Sequence, residues 1–331
     1  MPSLVLRSSK IFNISETSVD SELNMVYTES FSIHPLVPFN FDLTADIFHD
    51  SDPQIRSYAN GIFSQVLRVN EKFVLVEVSS VGSVEQPYLT NKVKSNAPIS
   101  SSEKTKVRDM ITFIFNLNFS LTDFYSSIRD DPVMSYISSQ LFGLKNPTTV
   151  TVFESLIDSI VEQQISIKVA HQIEMRLTKK FGEVLTLYNN TFYAYPTPES
   201  IAASNVAEVQ KVGLSGRKAE YIHGAAKLIA EGKLDIEGLK KEPKPERIIE
   251  VLDEVKGVGV WTAELTMLRG MHKLDSFPAD DFGIQRVISR YYCEGKPIKA
   301  AKAREIAELW GNWKGLAAFY LIIAEAKDIR V

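Results

Sequence analysis

The sequence predicts an α+β protein: an N-terminal antiparallel-sheet domain over residues 1–100, followed by an all-α domain over residues 101–331. Three observations carry this reading. Gln65-Val66-Leu67-Arg68-Val69 and Lys72-Phe73-Val74-Leu75-Val76-Glu77-Val78 are rich in β-branched residues and are joined by Asn70-Glu71, which reads as a hairpin packed on one face. From residue 101 the apolar period changes. Val107, Met110, Ile111, Ile114 and Phe115 fall at i, i+3, i+4, i+7 and i+8, one side of a helix. Between the two textures lies the polar, turn-rich segment 96–102, which marks the boundary.

The remaining elements follow from local signals. Residues 42–48 and 52–58 read as short helical pieces ahead of the hairpin, and 79–86 as a polar break after it. Segments 121–128, 132–141 and 152–160 are helical units separated by Asp-Pro and Asn-Pro punctuation, and Phe153, Leu156, Ile157 and Ile160 mark a buried stripe. A helix over 169–181 comes next, and Thr197-Pro198-Glu199 opens another with a good N-terminal signal. Segment 217–231 follows the turn Gly213-Leu214-Ser215-Gly216, and helices over 300–310 and 313–326 close the chain. There is no internal repeat and no low-complexity stretch.

Bulk properties narrow the function classes. A length of 331 residues suggests two domains, and 44% hydrophobic with 24% charged residues is ordinary for a globular protein. No run approaches the roughly 18 apolar residues of a membrane span. The start, Met1-Pro2-Ser3-Leu4-Val5-Leu6-Arg7, lacks a signal-peptide layout, so a cytoplasmic location and no membrane partner are expected. The single cysteine, Cys293, leaves no disulfide framework and no cysteine-ligated iron–sulfur cluster within one chain. The five histidines are scattered without metal-ligand spacing. The net charge is −4; residues 151–331 carry 25 Lys+Arg and 25 Asp+Glu, leaving 12 and 16 before them. Any nucleic-acid grip must therefore come from local geometry rather than from a broad basic field.

That geometry is offered by 252–263, Leu-Asp-Glu-Val-Lys-Gly-Val-Gly-Val-Trp-Thr-Ala. A helix beginning at Pro245 has Ile248, Ile249, Leu252 and Val255 on its apolar face and must end near Lys256, where Gly257 supplies backbone freedom for a reversal. A second helix starts around Val260. Its first amides lack intrahelical partners and stand at the positive end of a helix dipole, an arrangement that binds phosphate oxygens without basic side chains. On these residues alone a packed glycine turn is an equally simple account. About twenty residues later, after Pro278, stand the two carboxylates Asp280 and Asp281.

The segment Leu-x-x-Val-Lys-Gly-Val-Gly-Val-Trp-Thr-Ala, followed by Phe-Pro-Ala-Asp-Asp-Phe-Gly-Ile-Gln-Arg (277–286), resembles the helix–hairpin–helix DNA glycosylase superfamily and, more narrowly, its 3-methyladenine DNA glycosylase II type. Further likeness lies in Val161-Glu162-Gln163-Gln164-Ile165-Ser166, in 213–221 and in Trp310-Gly-Asn-Trp-Lys-Gly-Leu-Ala-Ala-Phe-Tyr. The resemblance covers about residues 125–328. It implies an all-α core of two helical subdomains with the hairpin at about 248–268, and an enzyme that turns alkylated bases out of double-stranded DNA and hydrolyses the N-glycosidic bond.

Roles follow from the same resemblance. Asp281 would be catalytic, stabilising positive charge on the sugar and orienting or deprotonating water, with Asp280 as the better candidate for a mere helix cap. Trp261, Leu265, Phe282 and Ile322 would line the base pocket, with Leu265 and Ile322 standing where the family often has aromatics; Phe142 and Phe153 read as core. Gly257, Val258, Gly259, Val260, Thr262, Ser166 and Arg286 would meet DNA, and Gln164 would fill the gap left by the flipped nucleotide. Backbone carbonyls of Val255 and Gly257 would hold a monovalent cation; no organic cofactor is implied. Lyase relatives place a lysine at the position of Trp261, so the expected enzyme leaves an abasic site without strand cleavage. A monomer suits this work. Two other readings stand beside it. A non-catalytic hairpin module for DNA binding has no use for Asp281, and an 8-oxoguanine glycosylase/lyase is disfavoured by Trp261.

Overall fold

The computed structural model describes residues 25–50 and 52–331. The leader reading at residues 1–7 lies outside them. Strand β1 (Tyr27–Ile33) is followed by helix α1 (Phe41–Phe48), then by β2 (Arg56–Ala59), β3 (Ile62–Val69), β4 (Lys72–Ser83) and β5 (Gln86–Ser95). They form one antiparallel sheet in the order β1-β5-β4-β3-β2. The expected hairpin is β3–β4, in the register Val66↔Leu75 and Val69↔Lys72, and Asn70 takes the positive φ of 56° that its turn requires.

Helix α2 (Ser101–Ile114) crosses one face of the sheet. Ser100 and Glu103 close a reciprocal capping box, and Val107, Ile111 and Ile114 pack with Phe63, Leu67, Val76 and Val93. Two expectations within this region are corrected. Segment 52–58 is a turn leading into β2, because Arg56 to Ala59 find backbone partners along β3. Segment 79–86 is not a break: β4 runs to Ser83, and the hydroxyls of Ser79 and Thr90 bond across the strands at 2.7 Å. Polar residues at the exposed end of a long hairpin look like a loop in sequence.

The helical part comprises α3 (Thr122–Ser127), α4 (Pro132–Gln140), α5 (Val152–Glu162), α6 (Ile167–Phe181), α7 (Pro198–Ala202), α8 (Val206–Gln210), α9 (Gly216–Ala230), α10 (Pro245–Asp253), α11 (Val260–Gly270), α12 (Phe282–Tyr292), α13 (Ala300–Ala307) and α14 (Lys314–Ala326). It is not all-α. Strands β6 (Val184–Leu187) and β7 (Asn190–Tyr193) form a small hairpin between α6 and α7, with Tyr188 and Asn189 both at positive φ. Both turn residues take the positive φ that a type I′ two-residue hairpin demands, and Leu185 and Leu187 bury against Val66 and Leu75 of the sheet. Without that sheet the two short strands would have no apolar partner.

Two helical cores flank α11. One holds α3, α4 and α12–α14 around Phe124, Trp310 and Tyr320; the other holds α5–α10 around Leu156, Ile160, Ile222 and Leu252. Leu268 of α11 faces the first core, and Ala263 and Met267 face the second. Helix α11 is thus buried on almost every side, and its start, Gly259 and Val260, is what remains exposed. Among the described residues no helix is long and apolar enough to cross a membrane.

Candidate active site

The hairpin forms as its sequence requires. Helix α10 ends at Asp253, Val258 donates its amide to the Val255 carbonyl at 2.9 Å, and Gly257 reverses the chain at φ 88°. A Cβ at Gly257 would fall 2.1 Å from the Tyr221 ring of α9, so both the backbone angle and the close approach demand glycine. Gly259 differs: a Cβ there meets nothing within 4 Å, and its φ of −109° is ordinary. Its bareness leaves the start of α11 approachable, and no side chain caps that start. The first amides of a helix have no intrahelical acceptor, so this is an open donor edge with a positive dipole behind it.

Two of the residues expected at the DNA surface are placed otherwise. Val258 is buried in the second core with its amide already bonded, and Thr262 is only 2% exposed, with its hydroxyl turned inward to accept from Gln163. Thr262 is the third residue of a buried helix, and its side chain faces protein. Gly257, Gly259 and Val260 remain at the tip. Ser166 starts α6 as an exposed N-cap whose hydroxyl makes no capping bond, and Gln164 is exposed at φ 58°. Exposed Ile165, Ile167 and Val169 surround it, an apolar fringe on an otherwise polar loop.

Asp281 stands at the start of α12, half-buried. Its Oδ1 accepts from the Ile284 amide at 2.9 Å, and its Oδ2 accepts from the Trp261 indole Nε1–H at 3.2 Å. Both oxygens are thus oriented, one by the helix start and one by α11. This corrects the expected division of labour: Asp281 is itself the N-cap, and Asp280 is exposed and lies 4.0 Å from Arg304. Capping and an available carboxylate are compatible, because each oxygen has a second lone pair. Two guanidiniums feel this charge. Against the desolvation of its burial, Arg269 is held above its ordinary range by Glu162, with Glu174 and Asp281 adding. Arg286 is raised by its hydrogen bonds to Glu325, with Asp281 contributing. Arg286 is occupied in that bidentate pair, at 2.7 and 3.1 Å, rather than free for a phosphate.

The four expected pocket residues do not form one wall. Trp261 touches Asp281, and Ile322 lies beside it, 3.6 Å from where a Cβ on Gly283 would stand. Leu265 is buried, 4% exposed, inside the molecule. Phe282 follows Asp281 in sequence yet is 84% exposed, an aromatic ring directed at solvent beside the carboxylate. It is the first residue of α12. Phe142 is also exposed, stacked on Tyr125, whereas Phe153 is core. Sequence reasoning missed Gln163 and the Glu162–Arg269 pair, which link the end of α5 to α11. Their only signal was the run Glu162-Gln163-Gln164 at a helix end.

Among the described residues no group of three or more His, Cys, Asp or Glu could hold a metal ion. The carbonyls of Val255 and Gly257 each already accept one hydrogen bond, from the Val258 amide and from Gln163 Nε2, both at 2.9 Å. A carbonyl oxygen has a second lone pair, so each of these neutral oxygens keeps one site for a further partner.

Residues 157–312 match the family described as HhH-GPD superfamily base excision DNA repair protein. A DNA-3-methyladenine glycosylase of Bacillus subtilis is 24% identical over 288 residues, spanning 86% of this chain and 94% of that protein. A DNA-3-methyladenine glycosylase of Saccharomyces cerevisiae is 31% identical over 172 residues, 49% of this chain and 56% of its own length. Among solved structures, the 3-methyladenine DNA glycosylase from Archaeoglobus fulgidus superimposes with a TM-score of 0.80 at 27% identity, covering 91% of this chain and all of that one. The match begins inside α5 and runs to the 3-10 turn before α14, enclosing Gln163, the hairpin, Trp261 and Asp281: the chain carries a domain of the HhH-GPD superfamily.

Proposed function

We propose that this protein is a monofunctional DNA glycosylase of base excision repair, acting as a monomer on alkylated bases such as 3-methyladenine and 7-methylguanine in damaged double-stranded DNA. The observation that carries this is Asp281, a carboxylate with a donor on each oxygen, one of them the indole of Trp261 in the first turn of α11, whose start is an open donor edge. A scaffold protein gains nothing from a negative charge facing phosphates.

The chemistry follows from the arrangement. The amides at the start of α11 grip one backbone phosphate without sequence preference, which reconciles DNA binding with a net charge of −4. Gln164 on its exposed loop enters the stack as the target nucleotide turns out. The C1′–N bond breaks with its electron pair leaving on the base. A base alkylated to a cation departs neutral, so a strong general acid is unnecessary. Positive charge develops on the sugar, where the fixed Asp281 carboxylate opposes it without reorganising. Water then adds to C1′ and gives up its proton through Asp281. The Trp261 indole cannot form the imine that backbone cleavage needs. Val255 and Gly257 would hold a monovalent cation through their carbonyls; the cation would add attraction for the phosphate at the hairpin.

The test is release of methylated bases from duplex DNA by wild type and by Asp281→Asn. Release by wild type and its loss in the variant are expected; no release by wild type, or equal release by both, overturns the assignment. An enzyme–DNA adduct trapped by borohydride would overturn the monofunctional reading alone.

A further inference from the structure

The wedge loop and the hairpin come from distant parts of the sequence, and one side chain joins them. Gln163 ends α5, and its Nε2 donates to the Gly257 carbonyl at 2.9 Å and to the Thr262 hydroxyl at 3.0 Å. The carbonyl can only accept, so the amide orientation is dictated by the network. Gly257 is the reversal of the hairpin and Thr262 lies in the first turn of α11, so the two hydrogens of one amide bracket the phosphate-facing edge. On the other side, Lys218 of α9 donates its ammonium to the carbonyls of Val161 and Gln163, capping the end of α5. The Tyr221 ring of the same α9 closes over Gly257. The next residue, Gln164, is the exposed left-handed one.

We infer that Gln163 is a positioning residue: it sets the wedge at Gln164 in register with the hairpin's phosphate grip, so that holding the strand and opening the stack occur as one motion. This rests on the glycosylase reading of the loop. A single peptide unit, about 3.8 Å between Cα atoms, links the anchor to the wedge, so little of the anchor's rigidity is lost along it. A loop without this tie would still bind DNA through the hairpin while inserting its wedge poorly. Gln163→Leu and the near-isosteric Gln163→Met both remove the two donors.

The experiment uses full-length protein, with affinity for undamaged duplex, single-turnover base release, and fluorescence of 2-aminopurine placed beside an abasic site. The 2-aminopurine signal reads unstacking without any need for chemistry. Expected for Gln163→Met is about tenfold slower release, from loss of two hydrogen bonds, and about tenfold less unstacked population. Affinity for undamaged duplex should stay within about twofold, because the hairpin amides are untouched. Thr262→Val removes one acceptor and should be non-additive with Gln163→Met. Rate, unstacking and affinity falling in parallel with melting temperature would show a merely structural role and overturn the proposal; so would no change in unstacking. If wild type releases no base, the glycosylase reading fails, yet the unstacking comparison still decides the coupling.

Discussion

Asp281 and the carboxylates at the other end of α5 are treated in opposite ways. Asp281 is half-buried, has a donor on each oxygen, and lies within electrostatic reach of Arg269 and Arg286. Glu154 and Asp158 of α5 and Glu174 of α6 line a cavity of about 20 Å³ against the sheet, with Asp50, Arg56, Gln65, Tyr193 and Tyr195. There the acids outnumber the cations. Burial pushes Glu154 up to about 7 against the opposing pull of Arg56, holds Asp158 well above the carboxylate range, and takes Glu174 to about 10. Tyr195 donates to Asp158 at 2.7 Å, and Arg56 pairs with Asp50 at 3.2 Å through Nε and with Glu154 at 3.6 Å through Nη1, but among the described residues Glu174 Oε1 and Gln65 Oε1 have no hydrogen-bond partner. Desolvation with too few donors raises the buried acids of the joint, whereas at Asp281 a donor on each oxygen orients a half-buried carboxyl group. Helix α5 connects the two, ending at Glu162, which pairs with Arg269 at 2.6 Å.

The comparison breaks first at Asp281. Asp281→Asn keeps a capping oxygen but removes the charge; base release should fall by about 10²–10⁴, while melting shifts by no more than about 1 kcal/mol. A rate loss matched by unfolding would mean that Asp281 is only a cap. Gly257→Ala is next, since its Cβ would enter the Tyr221 ring at a strained φ. Duplex affinity should drop by about tenfold or more, at a stability cost of about 1–3 kcal/mol, read by titration and by denaturant melts. Trp261→Phe keeps an aromatic ring but frees Asp281 Oδ2. The expected loss is about tenfold in single-turnover rate with duplex affinity unchanged, and a variant that lost affinity instead would make Trp261 a DNA contact.

The smallest effect lies at the joint and depends on pH. The folded values are raised above the unfolded ones, so between about pH 4 and the folded value the unfolded chain has released protons that the native state retains. The contribution of these acids to stability is therefore full below about pH 4 and declines as pH rises, through about 7 for Glu154 and onward to about 10 for Glu174. Glu174→Gln should add about 1 kcal/mol at pH 8 and nothing at pH 4, in melts across that range. An equal shift at both pH values would show that Glu174 is not held protonated.

Much of this molecule could be read without coordinates. The β3–β4 hairpin, the helical stripes of α2 and α5, and the α10–Gly257–α11 reversal follow from period and punctuation, which are local properties. The β6–β7 hairpin, the full length of β4 and the strand identity of Arg56 to Ala59 did not, because each depends on a partner strand or on the sheet beneath it. Within the site, Asp281 and Trp261 were legible as types at a spacing. That Asp281 would also cap α12, that Thr262 would turn inward, and that Phe282 would stand in solvent depend on how α11 and α12 are rotated in their cores.

The sequence alone determined the α+β order, the glycine reversal, the aspartate and the tryptophan, since these are residue identities and local conformations. Only the tertiary structure decided what orients them. The indole on Asp281 spans twenty residues, and the Gln163 amide on the hairpin spans more than ninety. Contacts across such separations are made by helix packing, and no local pattern encodes them. The hairpin and its carboxylate are written in the chain; their alignment is a property of the fold.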